Sequence, residues 1–389
     1  MTGTRPISRP EWLTAPEHNT FAATGRTLRW GVVATGNIAN TVTAELALLE
    51  DAELVAVSSR SQAKASEFAA RFGFARHYYD GGPGSGVDVT DHSNSTGGGG
   101  VSNHGFATGG GTDQPVAGYQ QLVRDPDLDV VYVATPHGQH FEVVRAALQA
   151  GKHVLCEKAL TVNAAEAAEL IRLARERKLF LMEAVWARFV PGMQRAFEIA
   201  ASGEIGKVQW VRADLGFPAP VDPTARIWAP VDGGGALLDL SVYPLLWAWG
   251  TLGAPQSVHA SGALTDFGVD RQNAITLSYA SGAQAQLMSS LTALGPRSAV
   301  VAGSKGYIEA AGSINNPLSL TVQTGVEEPR VETFEPLARG YTYQLREVTR
   351  CIQQGLTESP TMPLDDSLAT MELFDEVRRQ LGVVYPNDA

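Results

Sequence analysis

An adjacent glutamate and lysine stand at the abrupt end of an apolar run in the segment KHVLCEKAL. Glu157 and Lys158 end that run, and a helical pattern resumes a few residues later. As a surface ion pair they would contribute under about 1 kcal/mol to stability. At the end of a buried strand, however, a lysine is also placed to exchange or orient a proton in an active site. The elements around this strand end decide between the two roles.

A second pair of reactive side chains lies in the segment GGGALLDLSVYPL. Asp239 and Tyr243 are one helical turn apart, so a helix would bring them to one face. An unpartnered carboxylate is costly to bury in an otherwise apolar helix, so Asp239 is expected to have a partner or a ligand. Pro244 should remove one backbone hydrogen bond and bend the helix.

Two histidines, His137 and His140, form an H-x-x-H pattern. Histidines at such spacing can bind metal, but no carboxylate or cysteine cluster accompanies them. Cys156 lies inside an apolar run far from Cys351, which indicates a buried reduced thiol rather than a disulfide. No metal site is predicted.

The elements that must position these residues alternate between short apolar runs and helical patterns. Strands are predicted at LRWGVVAT, ELVAVSS, DVVYVAT, HVLC and LFLMEAV, with helical segments between them. This alternation indicates a doubly wound α/β fold of Rossmann type, with a parallel sheet covered on both faces. After about residue 184, strand-like runs follow one another without helices, which predicts a C-terminal α/β domain with a mostly antiparallel open sheet.

Domain boundaries follow from composition. Residues 1–26 are polar and proline-containing and are expected to form a flexible arm. Residues 27–183 are assigned to the Rossmann domain and 184–389 to the C-terminal domain. Within the first, residues 81–118 are rich in Gly, Ser, Asn and Thr and cannot bury enough apolar surface to offset their ordering entropy. We predict a flexible insertion there, with a functional lid as the alternative.

Charge and hydropathy limit the kinds of partner. The net charge is −11 without a cluster of Lys and Arg, which argues against nucleic acid. The first residues contain no continuous apolar segment, so no signal peptide is predicted. No run approaches the ~18 apolar residues of a membrane span. A cytoplasmic protein is therefore expected.

The segment RWGVVATGNIA stands where a dinucleotide-binding turn would be, after the first strand and opening the first helix. The strict G-x-G-x-x-G pattern is missing. Small residues still allow the backbone to approach a pyrophosphate, and the helix N-terminus offers N–H donors. A strand-to-helix turn without a ligand is the alternative. The residues expected to contact the cofactor here are Gly31, Thr35, Gly36, Asn37 and Ile38.

The end of the second strand indicates which cofactor is bound. NAD-binding proteins usually carry Asp or Glu there to hold the ribose 2′-hydroxyl. This chain has Ser58, Ser59 and Arg60 instead. A guanidinium beside hydroxyls suits a 2′-phosphate, so NADP is predicted, with NAD possible. A solvent-facing arginine at a helix start is the alternative.

Three strand ends, TPHGQH, EKAL and MEAVWARF, together resemble the Gfo/Idh/MocA oxidoreductases, which pair a Rossmann domain with a C-terminal α/β domain. That family has a Glu-Lys-Pro motif ending the fifth strand, and Glu157-Lys158-Ala159 matches it except at proline. The resemblance runs from about residue 27 to the end of the chain, excluding the insertion. The Asp239/Tyr243 pair and the ending TMELFDEVRRQLGVVYP look most like the branch of dimeric dihydrodiol dehydrogenases and NADP-dependent D-xylose dehydrogenases.

The resemblance implies a dehydrogenase that transfers hydride between nicotinamide and the hydroxyl-bearing carbon of a sugar, polyol or vicinal diol. Lys158, Tyr243 and Asp239 are then the catalytic residues. Either Tyr243 takes the proton, with its pKa lowered by Lys158, or Lys158 exchanges it and Tyr243 orients the substrate. Asp239 holds Lys158 or a substrate hydroxyl. Further cofactor contacts are implied for Thr135, Pro136, His137, His140, Glu157, Lys158, Trp186 and Arg188, and substrate contacts for Lys158, Trp186, Asp239 and Tyr243.

Two other functions stay open from the sequence. NAD-dependent glycoside cleavage, which some relatives perform through transient oxidation, would retain its cofactor tightly. A non-catalytic NADP-binding sensor or scaffold would need none of Lys158, Asp239 and Tyr243. By resemblance, the open sheet of the C-terminal domain is expected to form the interface of a homodimer.

Overall fold

The N-terminal part of the protein is built on a parallel sheet. The computed structural model describes residues 20–81, 88–89 and 116–389. In the described part, the first sheet contains β1 (Leu28–Val33), β2 (Ala52–Ser59), β3 (Arg76–Tyr79), β4 (Asp88–Val89), β5 (Val130–Val133), β6 (His153–Glu157) and β7 (Leu181–Ala184). Their order is β4-β3-β2-β1-β5-β6-β7. Neighbouring strands are parallel except for the short edge strand β4 against β3.

Helices connect these strands and cover the sheet. They are α1 (Asn37–Leu46), α2 (Gln62–Phe72), α3 (Gly118–Val123), α4 (His137–Gln149) and α5 (Ala164–Arg177). Their ends follow local signals: Ser61 caps α2 by accepting from the Lys64 N–H, and Gly73 ends it in the left-handed region. All residues of β5 are buried, as expected for a strand covered on both faces. The predicted doubly wound fold is confirmed.

The C-terminal part contains a second sheet. Its strands are β8 (Val208–Gly216), β9 (Ser257–Leu264), β10 (Asp270–Ser278), β11 (Gln284–Ser290), β12 (Ala299–Gly303), β13 (Gly306–Ala310), β14 (Ser319–Thr324) and β15 (Arg330–Thr333). The order is β15-β14-β13-β12-β8-β11-β10-β9, antiparallel except between β8 and β11. The predicted mostly antiparallel sheet is therefore confirmed.

One face of this second sheet is covered by helices and the other is exposed. The covering layer includes α6 (Pro191–Ser202), α7 (Ala236–Leu240) and α8 (Val242–Leu252). On the opposite face, the central strands β8 and β11 present Trp210 and Met288, which are 45% and 55% exposed. Large apolar side chains on an open sheet face are typical of an interaction surface.

The last two helices pack back onto the first domain. Helix α9 (Tyr341–Gln353) contacts α1, and α10 (Leu364–Leu381) contacts α5 and β9. Buried Arg346 of α9 binds both carboxylate oxygens of buried Asp51, at 2.8 and 2.9 Å. Its Nε also donates to the Thr20 carbonyl. From residue 20 onward the predicted flexible arm is thus held to the domain, and the rest of that prediction lies outside the described residues.

The predicted insertion is only partly described. Gly81 forms an antiparallel bridge with Val116. Gly118 then starts α3 against the Tyr79 backbone, where a Cβ would come within 2.7 Å of the Tyr79 Cα. Residues 116–118 therefore belong to the packed domain. Most of the predicted insertion lies outside the described residues. In the ranges that the structure covers, no helix is long and apolar enough to cross a membrane.

Candidate active site

A cavity of about 1170 Å³ lies beyond the carboxyl ends of β1, β2, β5 and β6, where open parallel sheets bind their ligands. Both domains contribute to its lining. Thirteen of the residues singled out in the sequence line it: Thr35, Gly36, Asn37, Ile38, Ser59, Arg60, Thr135, Pro136, His137, Glu157, Lys158, Asp239 and Tyr243.

Four predicted contact residues are not among those that line this cavity. Gly31 lies inside β1, where a Cβ would come within 2.8 Å of the Leu128 side chain, so it serves close packing. Arg188 is buried and ion-paired with Asp366. The other two are His140 and Trp186, and the contacts predicted for all four residues stay predictions.

Helix α1 begins at the cavity with features that fit a dinucleotide phosphate. Gly36 precedes its first turn, and no described side chain caps that end. A Cβ on Gly36 would meet no described atom within 4 Å, so the space in front of the turn is open. The first N–H groups of α1 can therefore donate to an anion. Ala34 adopts φ 85°, a conformation that favours glycine, which shows how tightly the chain turns here.

Two buried hydroxyls belong to residues that line the same cavity. Ser58 Oγ and Thr135 Oγ1 have no hydrogen-bond partner among the described residues. Both residues line the cavity, at the ends of β2 and β5. Buried polar atoms are nearly always hydrogen-bonded, so these two hydroxyls at the cavity wall are exceptions among the described residues. The residues present therefore fit a nicotinamide dinucleotide.

Basic residues line the cavity beside the end of β2. Arg60 is accompanied by Lys64 and Arg71 of α2, which the sequence reading did not single out. Lys64 and Arg71 are seven residues apart in α2, so periodicity would have placed these two on one face. Ser59 accepts a hydrogen bond from the Thr35 hydroxyl at 3.2 Å, which connects this end to the turn before α1.

Lys158 and Asp239 meet where the two domains face each other. The Lys158 amine donates to the Asp239 backbone carbonyl and lies 3.5 Å from Oδ1 of its carboxylate. Arg226 Nη1 donates to the same Oδ1 at 3.2 Å. Burial alone would raise the pKa of Asp239, but Lys158, Arg226 and His137 together hold it below its usual value. The carboxylate is thus ionised at neutral pH and shared by two cations.

Arg226 is a cavity residue that the sequence did not reveal. It lies in the segment between β8 and α7, outside any periodic pattern. Its side chain is 49% exposed, against 13% for Asp239, so its remaining N–H groups can reach a ligand. No spacing rule in the sequence singles out Arg226. Only the folded path of this segment brings its side chain to Asp239.

Tyr243 lies beside this pair but in a different state from the one predicted. Its hydroxyl accepts a hydrogen bond from Trp186 Nε1 at 3.0 Å, and Lys158 Nζ lies 5.3 Å from its ring centroid. Burial and the charge of Glu157 raise the pKa of Tyr243, so the expected lowering by Lys158 is wrong. Trp186 stands behind Tyr243 and packs on Tyr341 at a centroid distance of 4.6 Å.

The helix carrying Asp239 and Tyr243 is broken between them. Asp239 belongs to α7 and Tyr243 to α8, with Ser241 as the break. Pro244 lies in the first turn of α8, where a missing N–H leaves no intrahelical bond unmade. The predicted bend is thus a separation into two short helices, and both side chains still reach the cavity.

The two histidines hold loops around the reactive pair. His137 Nδ1 lies 2.9 Å from the Gly233 carbonyl, and Nε2 lies 3.0 Å from the Lys158 carbonyl. His140 bridges the Ala159 and Thr135 carbonyls at 2.9 and 2.8 Å. Burial lowers the pKa of His137 to about 3 and that of His140 to about 4, whereas the carbonyl oxygens against both nitrogens of each ring favour the protonated form. His140 is therefore a structural residue under the loop, and the Lys158–Ala159 peptide above it is cis.

Glu157 completes the strand end that carries Lys158. Its Oε1 accepts a hydrogen bond from the buried Tyr132 hydroxyl at 2.6 Å. Burial raises the pKa of Glu157. The hydrogen bond between Tyr132 and Glu157 therefore links β5 to β6 next to Lys158. No group of three or more His, Cys, Asp and Glu within the described ranges could hold a metal ion.

Comparison with known families gives matches over both domains. Residues 28–185 match the family described as "Oxidoreductase family, NAD-binding Rossmann fold", labelled GFO/IDH/MocA. Residues 193–309 match the GFO/IDH/MocA C-terminal domain. Together the two matches cover most of the chain.

Individual relatives match nearly end to end. The chain is 33% identical over 375 residues to the trans-1,2-dihydrobenzene-1,2-diol dehydrogenase of Mus musculus, covering 93% of this chain and 99% of that one. The Xenopus laevis enzyme of the same name is 34% identical over 369 residues, with coverage of 92% and 99%.

Solved structures agree with the fold. A 3-ketoreductase from Actinomadura kijaniata, in complex with NADP and TDP-benzene, has a TM-score of 0.73 and 26% identity and covers 92% of this chain and 98% of its own. The aldose-aldose oxidoreductase from Caulobacter crescentus, complexed with glycerol, has a TM-score of 0.73 at 23% identity, covering 91% and 97%.

Proposed function

Because the chain belongs to the GFO/IDH/MocA oxidoreductase family and is a dehydrogenase acting on CH–OH groups, we propose that it uses NADP to oxidise a sugar, a polyol or a vicinal diol. The observation that carries the proposal is the 3.5 Å approach of Lys158 to Asp239 across the two domains. This pair lines the same cavity as the turn before α1.

The reaction needs a group that exchanges the proton of the reacting hydroxyl, and we assign this to Lys158, which accepts that proton after its ammonium has released one to solvent. The raised pKa of Tyr243 makes its phenol a poor base at neutral pH. Asp239, with its lowered pKa, is a permanent acceptor that orients the lysine amine. Hydride exchange with the carbinol carbon is the chemistry that a bound nicotinamide supplies at this position.

The substrate class follows from the polar groups around Lys158. A reacting hydroxyl beside the amine leaves a neighbouring hydroxyl within reach of Arg226 and the Asp239 carboxylate, which are 3.2 Å apart. Charge-assisted hydrogen bonds to adjacent hydroxyls favour a vicinal diol, as sugars also contain. The names of the relatives support this proposal, since they are dehydrogenases of a 1,2-diol.

The preference for NADP rests on the basic groups at the end of β2. Arg60, Lys64 and Arg71 line the cavity there, and Ser58 to Ser61 contain no carboxylate to hold a free 2′-hydroxyl. A doubly charged phosphate gains from such a cluster. The named complex of the 3-ketoreductase with NADP is consistent with this choice.

The test is incubation of the purified protein with NADP⁺ or NAD⁺ and a panel of substrates, followed by absorbance of the reduced cofactor. The panel contains D-xylose, other aldoses, polyols and trans-1,2-dihydrobenzene-1,2-diol. We expect reduction that is faster with NADP⁺ and is lost in Lys158→Ala. Glycoside cleavage with retained cofactor, or binding of NADP⁺ without reduction by any substrate, contradicts the proposal.

A further inference from the structure

A short segment near the end of α10 contacts both sides of the cleft. Residues 385–388, called the clasp below, comprise Tyr385 and the 3₁₀ turn Pro386–Asp388. Tyr385 is buried, and its hydroxyl donates to the Gly234 carbonyl at 2.7 Å. Gly234 directly precedes the N-cap of α7, the helix that carries Asp239.

The tyrosine contact also reaches the loop of Arg226. The Gly235 N–H donates to the Ile227 carbonyl at 2.9 Å, and the Gly234 N–H to the Ala229 carbonyl at 3.0 Å. A Cβ on Gly234 would lie 2.9 Å from the Ile227 carbonyl oxygen, so the loop is closed tightly. Fixing Gly234 therefore fixes both ends of the segment between Arg226 and Asp239.

The other end of the clasp binds the Rossmann domain. The Asn387 amide donates to the Gly138 carbonyl at 3.1 Å and to Glu166 Oε1 at 2.9 Å. Asn163, the N-cap of α5, donates to the Asn387 carbonyl at 3.3 Å. Gly138 follows His137, whose ring lies against the carbonyls of Gly233 and Lys158. A network of hydrogen bonds thus connects the end of β6, at Lys158, through the clasp to α7.

The clasp is itself held rigidly. Asp388 accepts from the Tyr385 N–H at 2.8 Å and from Arg378 Nη1 at 2.7 Å. The Arg378 guanidinium lies over the Tyr385 ring, 5.1 Å from its centroid. Because Arg378 belongs to α10, the clasp is tied to a long helix that also packs on α5.

From these contacts we propose that Tyr385 and Asn387 are positioning residues, which set the separation of Lys158 on one domain from Asp239 and Arg226 on the other. The expected effect of these residues on kcat rests on the proposed dehydrogenase reaction. Small misplacements of reacting groups cost rate rather than affinity, so the clasp acts on kcat.

The test uses Tyr385→Phe, which removes one oxygen from the full chain. Amide hydrogen exchange of segments 226–239 and 137–140 is expected to rise by about 3- to 20-fold, the range for losing one buried hydrogen bond. With D-xylose or trans-1,2-dihydrobenzene-1,2-diol, kcat should fall by about 3- to 20-fold with KM and NADP⁺ affinity within about twofold. Asn387→Ala should speed exchange in the same segments.

The matched control is Tyr279→Phe, since the buried Tyr279 hydroxyl has no hydrogen-bond partner among the described residues. It should leave exchange and kcat unchanged. If Tyr385→Phe alters thermal stability but leaves kcat and the exchange of both segments as in the parent, the positioning role is wrong. The hydrogen-exchange measurement needs no substrate. If no substrate is found, the proposed function is contradicted, and the exchange data still test the positioning role of the clasp.

Discussion

At the scale of single residues, the reactive group is defined by its partners rather than by its type. The sequence leaves open whether Tyr243, beside an ammonium, or Lys158 itself exchanges the proton. The Tyr243 hydroxyl is bonded to Trp186, and its pKa is raised by burial and by Glu157. The same surroundings give Lys158 a carboxylate that orients its amine.

Lys158→Ala and Tyr243→Phe separate the two proton-transfer schemes. Lys158→Ala should abolish turnover with NADP⁺ affinity changed only a few-fold, because the lysine acts on the reacting hydroxyl. Tyr243→Phe should mainly raise KM and leave the shape of the pH–rate profile intact, because it loses binding shared by ground and transition states. Steady-state kinetics over pH measure both.

The opposite result identifies the tyrosine as the base. A fall of about 10²–10⁴ in kcat for Tyr243→Phe, with loss of an ionisation from the pH profile, is the signature of general base removal. Retention of near-normal turnover by Lys158→Ala contradicts both schemes.

Arg60→Ala tests the cofactor preference. If its guanidinium binds the 2′-phosphate, NADP⁺ binding should weaken by roughly 1.5–3 kcal/mol, the range for a charged hydrogen bond, with NAD⁺ binding barely affected. Titration of both cofactors by fluorescence measures this. Arg172→Ala, an exposed ion-paired arginine on α5, is the control. Equal losses for NADP⁺ and NAD⁺ contradict the assignment.

At the scale of elements, short helix α7 depends on a distant carboxylate. Buried Asp270 of β10 accepts from the Leu237 N–H at 3.0 Å. Gly235 before the helix has φ 114°, and a Cβ there would lie 2.4 Å from Asp270 Oδ1, so only glycine allows this approach. Asp270 therefore holds the start of the helix that presents Asp239.

Asp270→Asn tests the cost of burying this carboxylate. Burial raises the pKa of Asp270 to about 7, so the folded protein holds its proton more tightly than the unfolded chain. The contribution to the free energy of unfolding is full below about pH 4 and is lost as pH rises toward 7. Between pH 4.5 and 7.5, the free energy of unfolding should fall less in Asp270→Asn than in the parent protein, by about 1 kcal/mol or more. One pKa unit corresponds to about 1.4 kcal/mol.

Urea unfolding between pH 4.5 and 7.5 gives the measurement. Exposed Asp266, in the turn between β9 and β10, provides the control as Asp266→Asn. Equal slopes for parent and Asp270→Asn would mean that the carboxylate titrates alike in both states.

The predicted insertion can be tested from the position of its stems. Gly81 and Val116 pair after β3, four strand positions from β6 in the sheet order. At about 4.8 Å per strand this is about 19 Å from Lys158. Replacing residues 90–115 by a short Gly-Ser linker, which keeps β4, should leave thermal stability, kcat and substrate KM nearly unchanged. A large fall in kcat with an intact fold would instead assign a lid.

Local pattern predicted the elements but not every side-chain direction. Strand ends depend on neighbouring residues, so Lys158 and Gly36 line the cavity at the strand ends where the sequence placed them. Arg188 and His140 also follow strand ends, yet they turn into the interior to meet Asp366 and the Ala159 carbonyl. Spacing along the chain carries no information about such partners. Only the tertiary fold determines which partners these side chains meet.

At the scale of the whole molecule, the open sheet face is the proposed dimer interface. Trp210 opposes Gln284 in the β8–β11 register, which places it on the same face as Met288. Introducing glutamate there should prevent burial, so Trp210→Glu combined with Met288→Glu should convert a dimer to a monomer. Sedimentation velocity measures this, with exposed Val326→Glu as the control. A monomeric parent protein contradicts the interface.

The buried Arg346–Asp51 pair has a consequence for the order in which the protein is made. Asp51 leaves the ribosome early, and Arg346 is 295 residues behind it. Arg346 and Gln353 of α9 both contact the Asp51 carboxylate, so Asp51 gains these partners only after α9 is synthesised. The Rossmann domain therefore completes this part of its packing only when the C-terminal helices are present.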